Sequence, residues 1–160
     1  KDDIKAMALT TATLHKDLPA FADQFDLILV DAGGRESTVF RSAIMAADLV
    51  IVPITPSQYD IWATADTIGV LRDATVYKNI KAIYLFNQVI MGTKVAVEAQ
   101  AALDEINQGA DYSILKTMLY SRVAYKNSIS RGLGVAEYEP GGKAAAETSA
   151  LYSEIINGGI

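Results

Sequence analysis

Three short, continuous apolar runs, spaced so that helix-length segments fall between them, constrain this chain more than any other feature. Leu27-Ile28-Leu29-Val30, Leu49-Val50-Ile51-Val52-Pro53-Ile54 and Ile83-Tyr84-Leu85-Phe86 have the unbroken hydrophobicity of strands covered on both faces of a parallel sheet. Residues 37–47 carry Val39, Ile44 and Ala47 at helical spacing, and residues 58–74 place Ile61, Ala65, Ile68 and Leu71 on one stripe. Residues 93–107 alternate alanines with Lys94, Glu98, Asp104 and Glu105 and read as a further amphipathic helix ending near Gly109. A short fourth strand is expected within residues 111–120, and a helix over 141–156 with Ala145, Leu151 and Ile155 on its buried side. Strands alternating with helices predict an α/β protein of three layers, α/β/α, around a mostly parallel sheet. The length suits a single domain over residues 1–160.

Composition narrows the classes further. About half the residues are apolar and a fifth charged, the balance of a folded globular chain. Without cysteine there is neither a disulfide framework nor a thiolate metal site, and a reducing compartment, the cytosol, is the expectation. No apolar run approaches the roughly 20 residues that span a bilayer, so no membrane association is expected. Lys1 opens the chain without a leader pattern, and the N-terminus reads as cut. A net charge of −5 argues against a uniformly basic nucleic-acid binder and leaves room for a local patch.

In parallel α/β sheets ligands bind beyond the carboxyl ends of the strands, and here those ends carry Asp31, Pro53-Ile54-Thr55 and Asn87. A carboxylate followed by two glycines suits a phosphate-hydrolysing switch: Asp31 can hold Mg²⁺ through water, while Gly33 and Gly34 let backbone N–H groups approach a terminal phosphate. The same residues equally suit a plain strand-to-helix turn capped by Asp31. The Asn87 amide offers a donor and an acceptor to a purine edge, and a turn-forming asparagine is the commoner use of that position. His15 has no evident partner, and Tyr59 and Trp62 read as core or interface aromatics.

From Ser113 to Ala136 there are four cations, Lys116, Arg122, Lys126 and Arg131, and no carboxylate, although the whole chain is acidic. Such a segment, interleaved with Tyr120 and Tyr125, can hold DNA phosphates without reading sequence. It can also be a solvated face paired with acids from elsewhere in the fold. No glycine-rich loop ending in Gly-Lys-Ser/Thr occurs, so these residues alone are not expected to bind a triphosphate or hydrolyse ATP.

The run from Phe25 through Asp31-Ala32-Gly33-Gly34 resembles the Walker B and switch II segment of the ParA/MinD partition ATPases, deviant-Walker P-loop proteins. Ala46-Ala47-Asp48 with the following apolar run and Pro53-Ile54-Thr55-Pro56 resembles that family's next strand and turn. Phe86-Asn87-Gln88-Val89 is similar to its base-side asparagine strand, and Arg122 through Pro140 to its region before the last helix. The wording around Gly33 looks closer to plasmid ParA proteins than to MinD, and the C-terminus lacks an evident amphipathic membrane helix.

This resemblance implies a P-loop NTPase-like fold of the SIMIBI type lacking its first strands, roughly the C-terminal three-quarters of a ParA-like protein. It implies an ATP-driven switch for plasmid or chromosome segregation that forms a homodimer around ATP and Mg²⁺ and binds DNA non-specifically. A centromere-binding, ParB-like partner would stimulate it, in the cytoplasm of a bacterium and in association with the nucleoid. Carried over by position, Asp31 is the Mg²⁺-side acid, Gly33 and Gly34 the switch II backbone, Asn87 and Pro140 the adenine side, and Lys116, Arg122, Lys126 and Arg131 the DNA face. ATP and Mg²⁺ belong to the intact parent, and none is expected on this chain. The alternatives are a non-enzymatic DNA-binding or adaptor module on the same fold and a P-loop ligase or synthase.

Overall fold

The computed structural model describes residues 4–33, 37–106 and 112–157. Its elements in chain order are α1 (Leu14–Asp17), α2 (Pro19–Ala22), α3 (Thr38–Ala46), β1 (Leu49–Ile54), α4 (Gln58–Thr75), β2 (Lys81–Phe86), α5 (Val95–Ile106), β3 (Ser113–Ile114), α6 (Val123–Ser130), α7 (Val135–Tyr138) and α8 (Lys143–Asn157). Two compact units divide the chain: Lys1–Val50 with Asp66–Ile80, and Ile51–Ala65 with Lys81–Ile160.

The sheet runs in the order β1-β2-β3. β2 and β3 are parallel, with Ile83 opposite Ser113 and Tyr84 opposite Ile114. The Asn87 N–H donates to the Ile54 carbonyl at 2.9 Å, joining the carboxyl ends of β1 and β2 as parallel neighbours do. Beyond β3 the chain keeps following β2: Leu115 N–H donates to Tyr84 O and Leu119 N–H to Phe86 O, both at 2.9 Å, and Val89 bridges Tyr120. β2, with neighbours on both edges, buries five of its six residues. β1, at the end of the strand order, buries only Val52 and Ile54, and its exposed Pro53 suits a strand whose N–H groups are not all called on.

In the first unit, Leu14 of α1 and Ser42, Ala43 and Ile44 of α3 are buried. Ser37 caps α3, its Oγ accepting from Phe40 N–H at 3.0 Å. His15 has a partner that its sequence context does not reveal: the buried Ser42 Oγ accepts from the His15 backbone N–H at 3.1 Å and lies 2.8 Å from its Nδ1. At the other end of α3, Lys78 Nζ donates to the Ala47 carbonyl and pairs with Asp48, both within 3 Å, which satisfies helix-end carbonyls with a cation.

One strand expectation is corrected. Residues 27–30 form no strand among the described residues, and Leu29 is 82% exposed. Its side chains have the right chemistry for a buried strand, yet no described strand pairs with it, and an apolar run without a partner on its edges stays in solvent. Tyr59 and Trp62, expected in a core or an interface, are 81% and 58% exposed and meet each other edge to face at 5.9 Å.

Candidate functional site

Asp31 lies in the first unit at the end of the apolar run, with its side chain exposed. A Cβ added at Gly33 would meet nothing within 4 Å, so the backbone there is open to a close approach. Gly34 lies outside the described residues. An exposed carboxylate beside an open glycine suits water-mediated Mg²⁺ and a phosphate, and among the described residues there is no cluster of three or more His, Asp or Glu for a directly ligated metal.

In the second unit the carboxyl end of β2 is held in one shape. The Asn87 Oδ1 accepts from Gln88 N–H at 2.9 Å, and Gln88 takes φ of 56°, a left-handed turn that the asparagine side chain supports. That bond orients the amide at the strand end. Pro140 is exposed, just beyond α7.

The basic segment belongs to the same unit and centres on α6. Its four cations differ sharply in surroundings. Arg122, the residue preceding α6, is tied to Glu147 of α8: Nε donates at 2.7 Å and Nη2 makes a second, shorter contact to the same oxygen. Its Cζ lies 5.4 Å from the centroid of the Tyr120 ring. Donating to the Glu147 carboxylate raises the Arg122 pKa above its ordinary value, against the opposing effect of desolvation. Lys126 is exposed and in no ion pair among the described residues. Arg131, also exposed, stands 5.3 Å over the Tyr138 ring. With Val123, Ala124, Asn127, Tyr138 and Glu139 it lines an open cavity of about 450 Å³. Lys116 is exposed, and its backbone N–H donates to Glu154 at 2.7 Å.

Glu147 and Glu154 were not among the residues singled out from sequence. They sit seven residues apart on α8, on the covered stripe with Ala144, Thr148 and Leu151, and each accepts from the basic segment. Burial works against ionising Glu154, but hydrogen bonds from the Thr117 side chain and the N–H groups of Lys116 and Thr117 outweigh it, leaving its pKa below the usual carboxylate range. Burial raises the pKa of Tyr125, whose hydroxyl donates to Glu147 at 3.4 Å and faces Thr148. A carboxylate on the apolar stripe of a helix, two turns from another, is the signal that would have found them.

A parallel sheet flanked by helices is the P-loop NTPase-like α/β fold that MinD has. The profile of the family described as ATPase MipZ matches residues 2–106, and the chain belongs to that family. It is similar to the "Maintenance of carboxysome distribution protein A" of Halothiobacillus neapolitanus, 23% identical over 82% of this chain and 60% of that protein. The protein of the same description from Synechococcus elongatus is also 23% identical, over 85% of this chain and 56% of that one. Among solved structures, the cell division ATPase MinD of Pyrococcus furiosus superposes with a TM-score of 0.73 at 20% identity, over 91% of this chain and 58% of that one. Apo McdA of Cyanthece superposes at 0.66 and 18% identity, over 86% of this chain and 57% of that one. The chain thus spans somewhat over half the length of these relatives.

Proposed function

We propose that this chain is part of an ATP-driven positioning switch that uses non-specific DNA as its track. The observation that carries this reading is the segment from Ser113 to Ala136, with four cations and no carboxylate in a chain of net charge −5, within a fold of the ParA/MinD class. Asp31 would take Mg²⁺ through water, Gly33 and Gly34 would face the terminal phosphate, and Asn87 and Pro140 would flank the adenine. ATP bound with Mg²⁺ supplies the free energy of the switch. The P-loop would come from the part of the family fold that these residues do not span. Lys116, Arg122, Lys126 and Arg131 together would make the segment that faces DNA basic.

In this reading the ATP-bound form is a homodimer in the cytoplasm, associated with the nucleoid, and a cargo-bound ParB-like protein stimulates hydrolysis. The relatives' names attach them to carboxysome distribution and to cell division, so the cargo is proposed only as something positioned, a plasmid or chromosome being one case. Among the described residues, no helix is long and apolar enough to cross a membrane.

The test is DNA affinity of the full-length protein with and without ATP and Mg²⁺, across a salt series. Binding that appears only with nucleotide, is indifferent to sequence and falls steeply with salt supports the switch. Binding indifferent to nucleotide supports the non-enzymatic adaptor instead. Asp31→Ala is expected to reduce hydrolysis to background while leaving the fold intact, because its side chain is exposed.

A further inference from the structure

We propose that Arg122 is an internal strut, positioned by Glu147, and that Lys126 and Arg131 are the cations of the basic segment that meet phosphate. The phosphate half rests on the DNA reading above, whereas the strut stands on the contacts within the second unit.

The two side chains are only 20% and 13% exposed. One oxygen of Glu147 takes both contacts from Arg122, and the other accepts from Tyr120 N–H at 3.3 Å and from the Tyr125 hydroxyl at 3.4 Å. The carboxylate is therefore met entirely by donors from residues 120–125, and the Tyr120 ring covers the guanidinium. A phosphate that drew Arg122 away would leave a largely buried carboxylate with two long hydrogen bonds and no counter-charge. Leaving one member of such a pair alone is the expensive outcome.

Position along the chain gives the pair its purpose. Arg122 has extended φ and ψ of −124° and 141° and immediately precedes α6, so the clamp sets where that helix begins. Seven residues further along α8, Glu154 holds the N–H groups of Lys116 and Thr117 at 2.7 and 2.9 Å. One helix thus fixes both ends of the stretch that leads into α6, and α6 presents Lys126 and is followed directly by Arg131. Lys126 and Arg131 are exposed and in no ion pair among the described residues, while the Lys116 charge lies close enough to Glu154 to favour its ionised form.

The experiment is a salt series of DNA binding by the full-length protein with ATP and Mg²⁺, together with thermal melting, for K126A, R131A, R122A, E147Q and the R122A/E147Q pair. K126A and R131A should each reduce the slope of log affinity against log salt by about 0.9 at an unchanged melting temperature. R122A and E147Q should keep the wild-type slope and melt earlier, and the double variant should melt no lower than the worse single one. E147Q preserves the shape of the side chain and carries the test if R122A does not fold. A slope loss of about 0.9 in R122A, or additive melting shifts, overturns the strut. A wild-type slope in both K126A and R131A overturns their assignment to phosphate. If the wild-type protein binds no DNA, the DNA reading and the phosphate half fail together, and non-additive melting alone then sustains the strut.

Discussion

Residues 27–30 and β2 are near twins as sequence and opposites as structure. Leu27-Ile28-Leu29-Val30 and Ile83-Tyr84-Leu85-Phe86 are both continuous apolar runs ending at a polar residue with a nucleotide-binding reading, Asp31 and Asn87. Tyr84 and Phe86 are 0% exposed, whereas Leu29 is 82% exposed. The difference lies in the neighbours. β2 has β1 on one edge and β3 on the other, and the chain after β3 extends the pairing through Leu115 and Leu119. Residues 27–30 pair with no described strand. Hydrophobicity states what a segment needs, and burial depends on what arrives to cover it.

The largest expected effect is at the covered twin. Phe86→Ala should destabilise the protein by about 3–5 kcal/mol, as deletion of a fully buried aromatic does, measured by urea denaturation. The corresponding truncation of the uncovered twin, Leu29→Ala, should stay within about 0.5 kcal/mol of the parent in this 160-residue chain. A larger loss at Leu29 would break the comparison by showing that residues 27–30 are packed in solution. Hydrogen exchange sharpens it: amides of Ala82 to Phe86 should open only with global unfolding, and those of Ile28 to Val30 should exchange close to the free rate. Joining these residues to the remainder of the fold, which the matched MinD chain possesses and this chain does not span, should slow the second set toward the first. A middle-sized effect belongs to the helix that follows residues 27–30: Ser37→Ala removes the cap on Phe40 N–H and should cost about 1 kcal/mol.

What could be read from sequence was what depends on local pattern. The runs at Leu49 and Ile83 became β1 and β2, and Ala145 and the stripe residues Ile61, Ile68 and Leu71 are buried, while Ala65 of that stripe is exposed. The parallel sheet followed from their alternation. α6 was missed because Val123 to Ser130 mixes exposed apolar and polar residues without a clean stripe, so its place depends on the Arg122–Glu147 clamp rather than on its own periodicity. For Glu147 and Glu154 the helix stripe marks the two carboxylates, but their partners, 25 to 38 positions away in the chain, depend on the tertiary fold. At the candidate site, Asp31, Gly33 and Asn87 could be named from their positions after apolar runs. Which cations of the basic segment are spoken for could not, since that is decided by the face of another helix.

The smallest effect tests whether the flank of β2 can be loosened toward the condition of residues 27–30. Glu154 holds Lys116 and Thr117 beside the stretch that pairs with β2 through Leu115 and Leu119. Its folded pKa lies below the ordinary glutamate value, so ionisation is favoured by folding. A carboxylate depressed in this way contributes stability that is fully present above the ordinary value and is lost as pH falls through and below it. Acidification across that window should therefore speed exchange at Leu115 and Leu119 before it speeds exchange within β2. Glu154→Gln should remove that acid-side step, because glutamine carries no charge to lose, while leaving the amides of residues 27–30 as they were. If the step persists unchanged in Glu154→Gln, the acid sensitivity belongs to another group, and the flank of β2 is held by strand pairing alone.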